Sequence, residues 1–248
     1  MMRTANPALG SKTFEGLAIT GEQNETMTLN GTVNKTAMLL FLIVLAASWV
    51  WHLFSASGNP AAISLWIWTG AIGGFIVALV TIFKKEWAGV TAPIYAILEG
   101  LFLGGISAIF ESAYPGIVLQ AVALTFGTLF ALLLAYKSGL IKATENFKLG
   151  VVAATGGIAL VYLATFILGL FKIQIPFIHG SGLFGIIFSL VVVVVASLNL
   201  VLDFDFIESG ASSGAPKYME WYGAFGLMVT LIWLYIEILR LLSKLRSR

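Results

Sequence analysis

Cysteine is absent from the 248-residue chain, and charged residues make up only 10% of it. Without cysteine there are neither disulfide bonds nor thiolate metal ligands. Soluble domains carry about 25% charged residues, so this chain has too few to cover a globular surface. The two histidines are too few for a histidine-rich metal site. These absences exclude a soluble domain and favour a protein that lies in lipid.

Hydrophobic residues, by contrast, make up 59% of the sequence. Spanning about 30 Å of hydrocarbon takes about 20 helical residues, and seven apolar runs approach or exceed that length. They are Thr36–Phe54, Ala61–Phe83, Ala88–Phe110, Pro115–Tyr136, Leu149–Phe171, Ser181–Leu202 and Tyr222–Leu242. In lipid the backbone must satisfy its own hydrogen bonds, which favours helices over isolated strands. The sequence therefore predicts an all-α polytopic membrane protein, a bundle of seven transmembrane helices.

Three regions follow from this pattern. Residues 1–35 are polar and predict a disordered cytoplasmic tail. Residues 36–242 form the predicted transmembrane domain, and residues 243–248 a basic carboxyl-terminal tail. Two pairs of glycines recur at four-residue spacing and predict close helix contacts: Gly70 with Gly74, and Gly100 with Gly104.

Lysine and arginine predict the orientation. The loops at Lys84–Lys85 and at Lys137–Lys148 are basic, and basic loops stay in the cytoplasm. The amino terminus then lies in the cytoplasm, and seven crossings send the carboxyl terminus outside. That tail is also basic from Arg240 onward, which contradicts the same rule. Two alternatives stay open: the last segment spans the membrane, or it re-enters and returns.

Acidic residues within the apolar runs are candidates for a functional site, because charges in a membrane are costly. Glu99 lies at the midpoint of the third run. Glu237 lies in the last run, three residues before Arg240. That spacing puts both on one helix face, so a local ion pair is the alternative to a functional carboxylate.

A second set of polar residues ends the sixth run, in "NLVLDFDFIES". Asn199 lies one helical turn before Asp203 on the same face, so Asp203 is the candidate that points into the bundle. Asp205 lies on a different face. For Asp205 and Glu208 a solvated helix end is the favoured interpretation.

With "NLVLDFDFIES" and "WLYIEILRLL" in view, the chain resembles the Bax inhibitor-1/YccA family of membrane proteins. The resemblance covers residues 36–242, and "APKYMEWYGAFGL" is similar to an actinobacterial-like branch. It implies a seven-helix bundle with the last helix central. It also implies a pH-regulated calcium leak, in which two acidic side chains of the last two helices form a proton-linked latch. By position these are Asp203 and Glu237, the latter in place of the usual aspartate.

If the two acids meet, they cannot both ionise cheaply. A shared proton would hold the helices together, and its loss would open the path and expose oxygen ligands that suit Ca²⁺. The length of chain between them raises a difficulty: a plain hairpin turning at Gly210–Pro216 leaves them about 20 Å apart in depth.

The leading prediction is thus a cation leak channel with calcium as the expected cargo, in a bacterial plasma membrane, with no bound cofactor and no nucleic-acid partner. The proton and cation site would comprise Asp203, Glu237, Glu99, Asn199 and Asp205, with Asp203 and Glu237 as the calcium ligands. The alternative is a non-transporting regulatory protein that binds a membrane protease or a stress-response partner. No Ser/His/Asp order, metal motif or phosphate loop is visible in the sequence, so we do not expect an enzyme.

Overall fold

A computed structural model describes residues 26–171 and 180–247 of the chain. Within these ranges seven long helices follow one another: α1 (Leu29–Ser57), α2 (Ala61–Phe83), α3 (Ala88–Ala113), α4 (Ile117–Lys137), α5 (Glu145–Leu170), α6 (Leu183–Ser212) and α7 (Met219–Arg246), with a short 3₁₀ helix at Lys85–Trp87. All seven are long and apolar enough to cross a membrane. Large exposed apolar side chains such as Phe41, Trp68 and Phe166 suit contact with lipid. The predicted all-α bundle of seven spans is confirmed.

The ends of the first and last helices extend beyond their apolar runs. Helix α1 begins at Leu29, where the Thr28 side chain caps it by accepting a hydrogen bond from the Gly31 amide at 3.0 Å. Residues 29–35, which the sequence assigned to the tail, are therefore helical, while residues 1–25 of that tail lie outside the described residues. Helix α7 likewise continues through residues 243–246. A helix continues into polar sequence as long as its backbone bonds and caps are satisfied, so α1 and α7 are longer than the apolar runs that predicted them.

The last helix is continuous. Its 28 residues span about 42 Å, which is enough to cross the hydrocarbon once, and its glycines lie inside the helix. The alternative of a re-entrant last segment, which requires a break in the helix, is therefore wrong. In the apolar part of α7, 61% of the residues are buried, against 11–50% in the other six helices. This is expected for a central helix.

The described chain divides into two compact units. The N-terminal unit comprises residues 26–115 and 206–229, and the C-terminal unit comprises residues 116–205 and 230–247. In the N-terminal unit α3 packs against both α1 and α2. A Cβ atom on Gly100 would lie 2.6 Å from the Ile43 carbonyl oxygen, and one on Gly70 would lie 2.5 Å from the Leu98 carbonyl oxygen. The predicted use of these glycines in close helix packing is confirmed.

In the C-terminal unit α5 and α6 run antiparallel. Their shared apolar core contains Ile158 of α5 with Val192 and Val195 of α6, and Trp233 of α7 packs against it. This core holds three helices in a fixed register, and that register positions the polar residues described next.

Candidate functional site

Helix α5 carries polar residues at seven-residue spacing: Lys148, Thr155 and Tyr162. Seven residues are close to two helical turns, so the three side chains lie on one face of α5. Each of them contacts a polar side chain of α6 or α7 in the C-terminal unit. We call this set of contacts, together with Lys244, the polar column.

The first level of the polar column is an ion pair. The Lys148 ammonium lies 2.8 Å from the Asp205 carboxylate and 3.8 Å from that of Glu145. Lys148 is buried and the side chain of Asp205 is only 21% exposed. The favoured interpretation of Asp205 as a solvated helix end is therefore wrong, because a lysine of α5 reaches it.

The second level is a hydrogen bond between two neutral side chains. Asn199 is buried and donates to the Thr155 hydroxyl at 2.8 Å and to the Val195 carbonyl at 2.9 Å. The amide thus joins α5 to α6 in the middle of the apolar core.

The third level combines a carboxylate, an arginine and a tyrosine. Arg240 donates to both oxygens of Glu237, at 3.0 and 3.1 Å, and to the Tyr162 hydroxyl at 2.8 Å. Tyr162 in turn donates to Glu237 at 2.9 Å, and its ring lies 5.4 Å from the guanidinium carbon. Glu237 is almost completely buried. The local ion pair that the spacing of Glu237 and Arg240 predicted is confirmed, whereas Tyr162 was not predicted.

The fourth level involves a buried lysine. Lys244 donates to the Gly185 carbonyl at 3.0 Å and to the Ser189 hydroxyl at 2.9 Å. The ammonium therefore lies among the first residues of α6 instead of on an open surface. Two of the basic residues that made the carboxyl-terminal tail look cytoplasmic, Arg240 and Lys244, are used inside the protein.

The four levels together match the thickness of the hydrocarbon. From Lys148 to Tyr162 the rise along α5 is about 21 Å, and from Glu237 to Lys244 along α7 it is a further ~10 Å. Their sum is close to the ~30 Å of a bilayer core. The C-terminal unit thus presents polar groups at intervals over a length close to that of a bilayer core.

Asp203 is fully buried on α6, between the levels of Asn199 and Asp205. Lys244 lies opposite Gly185 and Ser189, so Glu237, seven residues earlier on the antiparallel α7, lies level with about residue 194 of α6. Asp203 is nine residues further along, which separates the two carboxyls by about 14 Å along the helix axis. The structure does not bring Asp203 and Glu237 together, and the expected carboxyl pair is not present in it.

Glu99, the remaining candidate, belongs to the N-terminal unit and is separate from the polar column. It lies on α3 against Gly74 of α2, where a Cβ atom would be 2.8 Å from its Oε1. Within residues 26–171 and 180–247 no group of three or more histidine or acidic side chains is placed to hold a metal ion.

The sequence also gave no indication of a cluster around Glu220 in the N-terminal unit. Glu220 is fully buried at the first turn of α7 and accepts hydrogen bonds from the amide and the hydroxyl of Thr28, at 2.9 and 2.8 Å. It also pairs with Lys35, and with Lys217 at 3.0 Å. Nearby, the Met27 amide donates to the Ala215 carbonyl at 2.6 Å. These contacts fix the start of α1 to the start of α7.

These features define a class: an integral membrane protein of seven helices with charged and polar side chains buried between the last three. The family model described as Bax inhibitor 1 like matches residues 6–247 of the chain. The chain therefore belongs to the Bax inhibitor 1 like family, while the actinobacterial-like branch stays a prediction. Neither a search of curated proteins nor a search of solved structures found a match.

Proposed function

We propose that this protein is a pH-regulated cation leak of a bacterial plasma membrane, with calcium as the expected cargo and the amino terminus in the cytoplasm. It would act without enzymatic chemistry and without a bound cofactor. The observation that carries the proposal is the polar column, which places charged and hydrogen-bonding groups across the depth of a bilayer. Such groups are costly in a membrane and mark ion and proton pathways.

The donor atoms of the column suit a hard cation. Ca²⁺ is bound by carboxylate, carbonyl and hydroxyl oxygens, and the C-terminal unit buries the carboxyls of Asp203 and Glu237. The cations Lys148 and Arg240 occupy the same column. Because like charges repel, we interpret the described conformation as closed.

Glu237 then serves as the proton-sensitive part of the gate, with Arg240 as its partner in place of a second carboxyl. The Glu237 carboxyl accepts hydrogen bonds from Arg240 and Tyr162 and so holds both in the column. Protonation removes the charge that attracts the guanidinium, whose side chain is already 35% exposed and is free to turn outward. Flux should therefore rise as the pH falls.

Calcium flux into liposomes that contain the full-length protein tests this proposal, measured from mildly alkaline to mildly acidic pH. Glu237→Gln, which keeps the shape but not the charge, should raise flux at neutral pH and flatten the response to acid. Tyr162→Phe should shift the response in the same direction by a smaller amount. Glu86→Gln alters an exposed carboxyl of the N-terminal unit and should behave as wild type.

The proposal fails if Glu237→Gln and Asp203→Asn both leave the flux and its pH response unchanged. Wild-type protein that passes no cation at any pH would point instead to the alternative class, a non-transporting regulatory protein that binds a membrane partner.

A further inference from the structure

Glu99 occupies the middle of α3, with eleven residues of the helix before it and fourteen after it. Its side chain is partly buried. Its neighbours Ile94 and Ile97 are exposed apolar residues of the same helix, so this part of α3 borders lipid. The carboxyl group therefore lies near the centre of the membrane, at the edge of the contact between α2 and α3.

The opposing helix leaves room for the carboxyl group. Gly74 of α2 faces it, and a Cβ atom there would come within 2.8 Å of the Glu99 Oε1. Gly73, next to it, faces the side chain of Leu98 instead. The recess at Gly74 is thus matched to the carboxyl group and not only to general helix packing.

No charged side chain of the neighbouring elements lies level with Glu99. Helix α2 contains no charged residue, and α3 contains no lysine or arginine. Helix α1 runs parallel to α3 with Ile43 beside Gly100, which puts its Lys35 about 10 Å and its His52 about 15 Å from the level of Glu99.

The third neighbour, α7, adds no counter-charge at this depth either. The ring of its Phe225 lies 4.9 Å from that of Tyr95, which sets the level of α7 against α3. Measured along the axis from the level of Glu99, Glu220 is then about 14 Å away and Tyr222 about 10 Å away. Tyr95 itself, one turn before Glu99 on α3, is the titratable group nearest in level, and its hydroxyl carries no charge in its ordinary form.

We propose that Glu99 is a proton-binding site of the α2–α3 contact, occupied at neutral pH and open to lipid-soluble reagents. An ionised carboxyl in the middle of a membrane needs a counter-charge or water, and the packed helices around Glu99 supply no counter-charge. Loss of the proton would therefore require the carboxyl group to leave the Gly74 recess. The contact between α2 and α3 at Gly74 is, on this account, proton-dependent.

Carbodiimides provide the test, because they react with protonated carboxyl groups. The acid O–H adds across one C=N bond, so that the proton goes to nitrogen and the oxygen bonds to carbon. The acyl group then migrates to nitrogen and gives a stable N-acylurea, with no leaving group. Full-length protein in liposomes would be treated with dicyclohexylcarbodiimide, and the modified peptide identified by mass spectrometry.

We expect the label on the peptide that contains Glu99, its loss in Glu99→Gln, and its decrease as the pH is raised. Glu111→Gln, at the end of the same helix, should keep the label. Gly74→Ala should increase labelling by pushing the carboxyl group towards lipid. In its matched control, Gly73→Ala, the nearest atoms to the new Cβ belong to the Leu98 side chain, at 3.2 Å and beyond, and this variant should label as wild type.

Two results would overturn the inference. One is equal labelling of Glu99 by a water-soluble cationic carbodiimide, which would place the carboxyl group in water. The other is that wild-type protein carries no label on Glu99 although its thermal unfolding matches that of Glu99→Gln, which shows that it is folded. Labelling is read on the residue itself, so it is independent of whether the polar column of the other unit passes calcium.

Discussion

Glu220 offers a sharp test of how the two ends of the N-terminal unit are held together. Its buried carboxylate accepts two hydrogen bonds from Thr28 and pairs with Lys35 and Lys217. It lies beside the first turn of α1 and within the first turn of α7, where the helix dipoles also stabilise a negative charge. Glu220→Gln keeps the size and one acceptor oxygen but removes the charge.

The expected loss of stability follows from these contacts. Hydrogen bonds to charged groups contribute about 1.5–3 kcal/mol each, and we count one such contribution for the shielded Lys35. Lys217 is 48% exposed, so solvent screening limits its pair to less than about 1 kcal/mol. The sum is about 3 kcal/mol for opening the start of α1, which is roughly a hundredfold in the opening equilibrium.

Amide hydrogen exchange, read by mass spectrometry of the peptide that covers the start of α1, measures this opening. Exchange there should accelerate about a hundredfold in Glu220→Gln, while peptides of α5 keep the wild-type rate. Gly31→Ala should act in the same direction, because its Cβ would overlap the Glu220 carboxylate. Lys217→Gln should change exchange by less than tenfold. If exchange in Glu220→Gln stays within a few-fold of wild type, the buried carboxylate does not hold the start of α1.

Two further predictions concern packing and orientation. Gly104→Ala places a Cβ against the Ala47 backbone and should lower the free energy of unfolding by about 1–3 kcal/mol. Gly127→Ala meets nothing within 4 Å and should be neutral or stabilising by up to about 1 kcal/mol. Thermal unfolding of both variants checks this, and equal losses of stability would contradict it. A single cysteine at Ser247 should react with a membrane-impermeant thiol reagent from the side opposite to one at Ser138, since three helices lie between them; labelling of both from one side would contradict seven crossings.

The spans were predictable because length and hydropathy are local properties of the chain. The pair of Glu237 and Arg240 was predictable for the same reason, since a spacing of three residues fixes a shared helix face whatever the rest of the fold does. The helix ends were not, because the cap at Thr28 lies in polar sequence that hydropathy alone assigns to a tail.

The partners of the buried charges depended on tertiary register, which the sequence did not reveal. Tyr162 reaches Glu237 only because α5 lies beside α7, and Lys148 reaches Asp205 only because α5 is antiparallel to α6. One signal was available in hindsight: the seven-residue spacing of Lys148, Thr155 and Tyr162, which is typical of a face turned towards other helices.

The buried position of Lys244 has a consequence for biosynthesis. Lone cationic side chains oppose the insertion of a helix, and the last helix carries several near its end. Their partners, Tyr162, Gly185 and Ser189, belong to segments that the ribosome has already made. We therefore expect α7 to enter the membrane only where the hairpin of α5 and α6 is already in place to receive it.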